Sequence, residues 1–250
     1  MNIELKENER IDDLEYKGLK IIQKNDGFCF GMDSVILSSF VKVNKREAVV
    51  ADFGTGTGII SILLASKNDK IKKIYGFEIQ DEMAEMAQRS VKMNDLNDKI
   101  EIVNTDIVGL PKEKWQKKFD VIVSNPPYKK IDTGLVSQGD KKLISRHEVK
   151  CTLEDIAREV SKCLKDNGSF YMVHRPERIV DICSIMRQYK LEPKEIRLVY
   201  PQLTEEANLV LVRCVKCGKP YVKVLNPLVV YDENNNYTDE IYQIYSKNRK

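Results

Sequence analysis

The chain has 250 residues, 42% of them hydrophobic and 32% charged, and its 41 basic and 38 acidic side chains leave a net charge of +3. A chain of this size makes one large domain or two small ones and buries roughly 70–75% of its unfolded surface, so it needs no staples. No apolar run approaches the ~18 residues of a membrane span, and 12 Gly and 8 Pro are too few for a collagen-like or disordered chain.

The opening Met1-Asn2-Ile3-Glu4-Leu5-Lys6-Glu7 has no apolar core of a signal peptide. The six cysteines (29, 151, 163, 183, 214 and 217) are scattered. Together these predict a cytoplasmic protein with reduced thiols. Cys214-Val-Lys-Cys217 is a lone CxxC, and the two histidines, His147 and His174, lie far from it in sequence. We therefore expect strand-end thiols and no metal site.

In chain order, residues 16–30 read as a hairpin turning at Asn25-Asp26-Gly27. Asp33 or Ser34 is placed to cap a helix through Val35, Ile36, Leu37 and Phe40. The run 48–53 predicts a strand, Gly54-Thr55-Gly56-Thr57-Gly58 a turn, and 59–65 a buried helix. Strand and helix then alternate: strand 73–78, helix 81–94, strand 100–104 and strand 119–124. Thr152-Leu153-Glu154-Asp155 resembles a capping box opening a helix that Asn167-Gly168 ends, before a strand over 169–173. Pro176 suits the first turn of a helix through Ile179, Cys183 and Met186, and strands follow at 195–200 and 207–215. Strands alternating with helices mean an α/β fold with a mostly parallel sheet covered on both faces. Residues 1–45 are expected to be an extension packed on a single domain, 46–250.

The glycine turn follows the first strand of this alternation, at the carboxyl ends of the strands where open α/β sheets bind ligands. Glu78 ends the next strand, placed for the two hydroxyls of a ribose. The spacing is G-x-G-x-G, not the G-x-G-x-x-G of a dinucleotide site, and Asp52 precedes it. A carboxylate there would repel a pyrophosphate and attract the ammonium of S-adenosylmethionine (SAM), which favours SAM over NAD. Asp106, after the third strand, is either an acceptor for an adenine amino group, with Ile107 on the ring, or a cap on its own turn.

Ser124-Asn125-Pro126-Pro127-Tyr128 ends the fourth strand. Two prolines remove two backbone donors, so the carbonyls here suit a ligand. Asn125 adds a side-chain acceptor and Tyr128 a flat face. Such a set suits a planar amino group joined to a π-system: acceptors draw its two protons while its ring stacks. That draws the nitrogen toward sp³ geometry and stabilises the positive charge that develops in methyl transfer.

With these motifs the chain resembles the class I SAM-dependent N-P-P-Y methyltransferases, which modify exocyclic or amide nitrogens. The segments Phe28 to Leu37, Ser145-Arg146-His147-Glu148, Val173 to Arg178 and Asn226 to Tyr231 are similar to those of the bacterial tRNA1(Val) (adenine(37)-N6)-methyltransferase family. The resemblance implies a Rossmann-like fold with a seven-stranded sheet and N6-methylation of an adenine in tRNA. The alternatives are N5-glutamine methylation of a protein, or an RNA-binding module that has lost catalysis. It implies cofactor contacts from Asp33, Asp52, Gly54, Thr55, Gly56, Gly58, Glu78, Ile79, Asp106, Ile107 and Asn125. Catalysis falls to Asn125, Pro126, Pro127 and Tyr128, and S-adenosylhomocysteine is the product. Between Lys129 and Lys150 six cations face three acids, a surplus equal to that of the whole chain. Lys129, Lys130, Lys141, Lys142 and Arg146 are therefore expected to contact tRNA backbone, with no membrane partner and a monomeric chain.

Overall fold

In the computed structural model, residues 4–25, 31–127 and 151–246 are described. Strands β1 (Glu9–Asp13) and β2 (Lys20–Lys24) form an antiparallel hairpin. They are joined by a turn across 14–19 that the sequence reading did not foresee, where Glu15, Lys17 and Gly18 take φ values of 53°, 50° and 71°. The reason is burial: Ile21 and Ile22 are fully covered, which makes this stretch a strand. Asp26 and Gly27 lie outside the described residues.

Helix α1 (Met32–Phe40) starts earlier than expected, with Gly31 in the capping position. Neither Asp33 nor Ser34 caps it. They are its second and third residues, and Asp33 Oδ1 accepts the Ser34 backbone N–H at 2.8 Å.

Then come β3 (Ala48–Phe53), α2 (Ile59–Lys67), β4 (Ile71–Glu78), α3 (Asp81–Met93), β5 (Ile100–Asn104), α4 (Lys112–Trp115) and β6 (Phe119–Ser124). From residue 151 on follow α5 (Leu153–Cys163), β7 (Leu164–His174), a 3-10 turn at Pro176–Arg178, α6 (Ile179–Gln188), β8 (Leu191–Tyr200) and β9 (Leu209–Lys216). The chain ends in β10 (Lys223–Val224), β11 (Leu228–Val229) and α7 (Asp239–Ile244).

Seven of these strands lie in the order β5-β4-β3-β6-β7-β9-β8, all parallel to their neighbours except β9. The two-residue strands β10 and β11 extend the outer edge of β8. They are too short to carry a periodic signal in sequence. The expected parallel sheet, covered on both faces, is what folds.

The two faces alternate along the strands. Val121, Val123, Tyr171 and Val173 point to the core with α1, α2 and α3, whereas Phe119, Ile122, Phe170 and Met172 join Trp115, Ile156, Ile182 and Met186 on the other face. Two details depart from expectation. The capping box at Thr152 is present, but α5 stops at Cys163 and β7 starts at once. Residues 165–168 then bulge opposite Asp120, with Asn167 at φ 62°. Leu164 is buried and paired with Phe119, so the strand must begin there. Lys216, nearly buried, donates its ammonium to the carbonyls of Ser161 and Leu164 and so closes the end of α5.

The hairpin is clamped to α3. Arg89 takes both Glu9 oxygens, at 2.8 and 2.5 Å, and both Glu85 oxygens at 2.9 Å. The guanidinium holds both carboxylates below the usual range.

Candidate active site

Three strand ends build the site. β3 ends on Asp52-Phe53, β4 on Phe77-Glu78 and β6 on Ser124. Phe53 pairs with Phe77 on one side and Ser124 on the other. The Phe53 and Phe77 rings meet edge-to-face at 5.4 Å, and Phe77 packs on Trp115 at 4.9 Å. This buried aromatic stack holds the strand ends in register. Ser124 Oγ donates to the Phe53 carbonyl at 2.8 Å, which joins β6 to the glycine turn.

Gly54, Gly56 and Gly58 have φ of 75°, 57° and 91°, a region costly for other residues. A side chain at Gly54 would meet nothing within 4 Å, so the loop borders open space there. At Gly58 it would press on Ala87 of α3 at 3.4 Å. The loop is thus tight against the protein at its end and open at its start.

Asp52 is fully buried beneath this loop. Its Oδ2 accepts from Thr55 Oγ1 at 2.7 Å and from Ser61 Oγ at 2.9 Å. Oδ1 is buried without a hydrogen bond. Desolvation raises the carboxyl pKa to about 6; the Thr55 and Ser61 bonds oppose it and the nearby Glu78 charge adds to it. Asp52 is therefore both a brace for the loop and a charge under it. Ser61 and Gly76 were not singled out from sequence. Gly76 lies beside Asp52 in the sheet, and a side chain there would stand 3.0 Å from Thr55 Cγ2 and 2.9 Å from Ile102 Cδ1. It is glycine so that Thr55 can reach Asp52.

Glu78 spans the loop and the next helix. Its Oε2 accepts from Gly56 N–H at 3.0 Å and its Oε1 from Gln80 N–H at 2.9 Å. Ile79 beside it is exposed, an apolar side chain open at the site. Asp106 Oδ1 takes the Val108 N–H at 2.8 Å, so one of its oxygens caps the turn. Ile107 is partly buried against the aromatic core. Asp33 is half-buried on α1.

Asn125 is half-buried, Pro126 buried and Pro127 exposed. Asn125 Nδ2 donates to Ser34 Oγ at 3.0 Å, across 91 positions of sequence. Tyr128, Lys129, Lys130, Lys141, Lys142, Arg146 and His147 lie outside the described residues, as do Phe28, Cys29 and Phe30. His174 is buried, accepts the Arg175 N–H on Nδ1 at 2.8 Å, and is pushed down to about 4 by desolvation, so it stays neutral. Cys214 is buried in β9 and Cys217 is exposed just beyond it. A cavity of about 450 Å³, lined by Phe40, Lys67 and Ile244 among others, lies at the far ends of α1, α2 and α7 and takes no part in this site. Among the described residues no helix is long and apolar enough to cross a membrane.

Residues 30–188 match the family model of the methyltransferase small domain. The chain belongs to that family. Among its methyltransferase relatives is the tRNA1(Val) (adenine(37)-N6)-methyltransferase of Bacteroides thetaiotaomicron, 33% identical over 143 residues, which are 57% of this chain and 58% of that one. The enzyme of the same name from Porphyromonas gingivalis is 28% identical over 203 residues, covering 79% and 76% of the two chains. The crystal structure of a predicted O-methyltransferase from Agrobacterium tumefaciens superposes with a TM-score of 0.68 at 23% identity, over 86% of this chain and 96% of that one. At that identity the likeness shows the shared fold.

Proposed function

We propose that this chain transfers a methyl group from SAM to the exocyclic N6 of an adenine in tRNA, at position 37 beside the anticodon of tRNA1(Val). The observation that carries the reading is the junction of strand ends: the acceptor side chain of Asn125 is tied through Ser124 to the turn that carries Gly54, Gly56 and Gly58. The names of the relatives support the substrate.

The residues present fit the cofactor. Gly54 borders open space where a backbone must approach a ligand closely, and the unbonded Oδ1 of Asp52 is a buried negative charge suited to a nearby ammonium. Glu78 has lone pairs beyond those used by Gly56 and Gln80, and these suit ribose hydroxyls. Ile79 offers an apolar face to the adenine, and Asp106 a second oxygen to its amino group. When bound, SAM supplies an electrophilic methyl on a sulfonium.

The rest is done by this chain. A base in an anticodon loop must be turned out of its stack to reach a buried methyl group, and Tyr128 is the surface for it to lie on. Asn125 Oδ1 and the Pro126 carbonyl accept the two N6 protons, which localises the nitrogen lone pair and stabilises the charge that develops. No ionised base is needed before transfer; the surplus proton leaves afterwards. The cations from Lys129 to Arg146 neutralise phosphates around the loop. Residues 1–45 serve as an extension that brings α1 against the site. Nucleoside mass spectrometry of bulk tRNA, from cells with and without the gene, tests the reading: N6-methyladenosine should vanish from tRNA without it. Unchanged tRNA with loss of methylglutamine from a protein would replace it with the glutamine reaction.

A further inference from the structure

We infer that Ser124 is a positioning residue for methyl transfer: its hydroxyl holds the strand end that carries the base-binding residues against the strand end that carries the cofactor turn. This rests on the cofactor and catalytic readings given above. In the order β5-β4-β3-β6-β7, β3 has β4 on one side and β6 on the other. The strand order reverses between β3 and β6, and at such a point the strand ends of an open α/β sheet part into the crevice where ligands bind. The turn with Gly54, Gly56 and Gly58 leaves β3, and Asn125-Pro126 leaves β6. Methyl donor and methyl acceptor therefore stand on opposite sides of one crevice, and the rate depends on how the two sides are spaced.

The observation is the contrast between the two sides of the β3 end. Toward β4, the Phe77 carbonyl accepts the N–H groups of Gly54 at 3.0 Å and Thr55 at 2.9 Å, main-chain bonds that depend on no side chain. Toward β6, in the last register pair, the Phe53 carbonyl accepts a side-chain hydroxyl, Ser124 Oγ, at 2.8 Å. A carbonyl oxygen can only accept, so the hydroxyl is the donor and the sense of the bond is fixed. Phe53 precedes Gly54 and Ser124 precedes Asn125, so the bond lies one residue from each side of the reaction. Phe53 and Ser124 are each 1% exposed, which keeps water from replacing the hydroxyl. Phe53 is itself fixed by its edge-to-face contact with Phe77, so it is the anchor and Ser124 the part that is held. The bond also explains a buried polar side chain at the end of the largely apolar strand β6.

The test is single-turnover methyl transfer from labelled SAM to tRNA transcript, well below the melting temperature, with S-adenosylhomocysteine and tRNA affinities measured on the same samples. Ser124→Ala should slow transfer about tenfold, the scale of one neutral hydrogen bond, and leave both affinities within about twofold of the parent. Ser124→Thr keeps the donor and should recover most of the rate. Ser124→Cys, a weak donor of similar size, should also be slowed; it serves if the alanine variant does not fold. In the Asn125→Ala background, Ser124→Ala should cost less than about threefold, because the side chain whose place it sets is gone. Parental rates for Ser124→Ala or Ser124→Cys, a slowed rate matched by an equal loss of S-adenosylhomocysteine affinity, a threonine variant no faster than the alanine one, or losses that multiply with that of Asn125→Ala would each overturn the inference while the catalytic reading stands. A parental rate for Asn125→Ala itself would remove both.

Discussion

Lowering the pH from about 7 to about 5 should weaken cofactor binding about tenfold, and Asp52 is the cause. Burial raises its pKa from 3.8 to about 6. The folded protein therefore holds this proton more tightly than the unfolded chain. Stability is unaffected below about pH 3.8, falls as the pH rises to about 6 and is then level, with the ionised form costing on the order of 3 kcal/mol. A cationic ligand beside the loop reverses the balance, since it favours the ionised carboxylate. At about pH 7 roughly nine molecules in ten carry the charge, and at about pH 5 roughly one in eleven. The α-ammonium of the ligand, with an ordinary pKa near 8, keeps its own charge over most of that range. Titration calorimetry with S-adenosylhomocysteine should show the tenfold fall, with proton release near pH 6 that depends on the buffer's ionisation heat. Asp52→Asn should bind weakly at both pH values, with no slope, and its unliganded form should melt no lower than the parent at neutral pH. A parental affinity that is level from pH 5 to 7, or a slope that survives in Asp52→Asn, would refute the reasoning.

Glu78→Ala should weaken S-adenosylhomocysteine by about 1.5–3 kcal/mol, the range for a hydrogen bond to a charged group; an unchanged calorimetric affinity would sink its ribose role. Gly76→Ala should lower stability by about 1–3 kcal/mol in denaturant unfolding, because the new methyl meets Thr55 and Ile102. It should also weaken the cofactor, since Thr55 is displaced from Asp52; parental stability together with parental affinity would contradict this. Lys141→Ala with Lys142→Ala should weaken tRNA binding and flatten its salt dependence with cofactor affinity intact, as loss of phosphate contacts does. Parental tRNA binding by the double variant would leave that segment only a solvated surface.

The strand–turn–helix alternation was legible because each strand between 48 and 124 is a short, largely apolar run bounded by charged, polar or glycine residues, and the strands fall close to where those runs predict them. The hairpin across 14–19 was missed because no strong local turn signal marks it; it is set by tertiary burial of Ile21 and Ile22. The start of β7 was missed for a similar reason. Asn167-Gly168 reads as a helix end, but it forms a bulge inside a strand that the Leu164–Phe119 pairing has already begun. In the site, Asp52, Glu78 and Asn125 carry local signals: a glycine turn, a strand end and a proline pair. Ser61 and Gly76 carry none, and Ser34 carries a misleading one. Ser34 reads as a cap, and its bond to Asn125 spans 91 positions. Gly76 reads as a weak point in a strand, and its purpose is visible only once Thr55 is seen packed over it.

The most direct test of the proposed reaction is methyl transfer in vitro to tRNA1(Val) transcript with purified protein, with the product mapped by nuclease digestion and mass spectrometry. One methyl per tRNA should appear on N6 of adenine 37. A transcript with guanine at that position should accept none, and Asn125→Ala should be slower by about 10²-fold or more at unchanged S-adenosylhomocysteine affinity. Methylation at another base, none on any tRNA, or a parental rate for Asn125→Ala would contradict it.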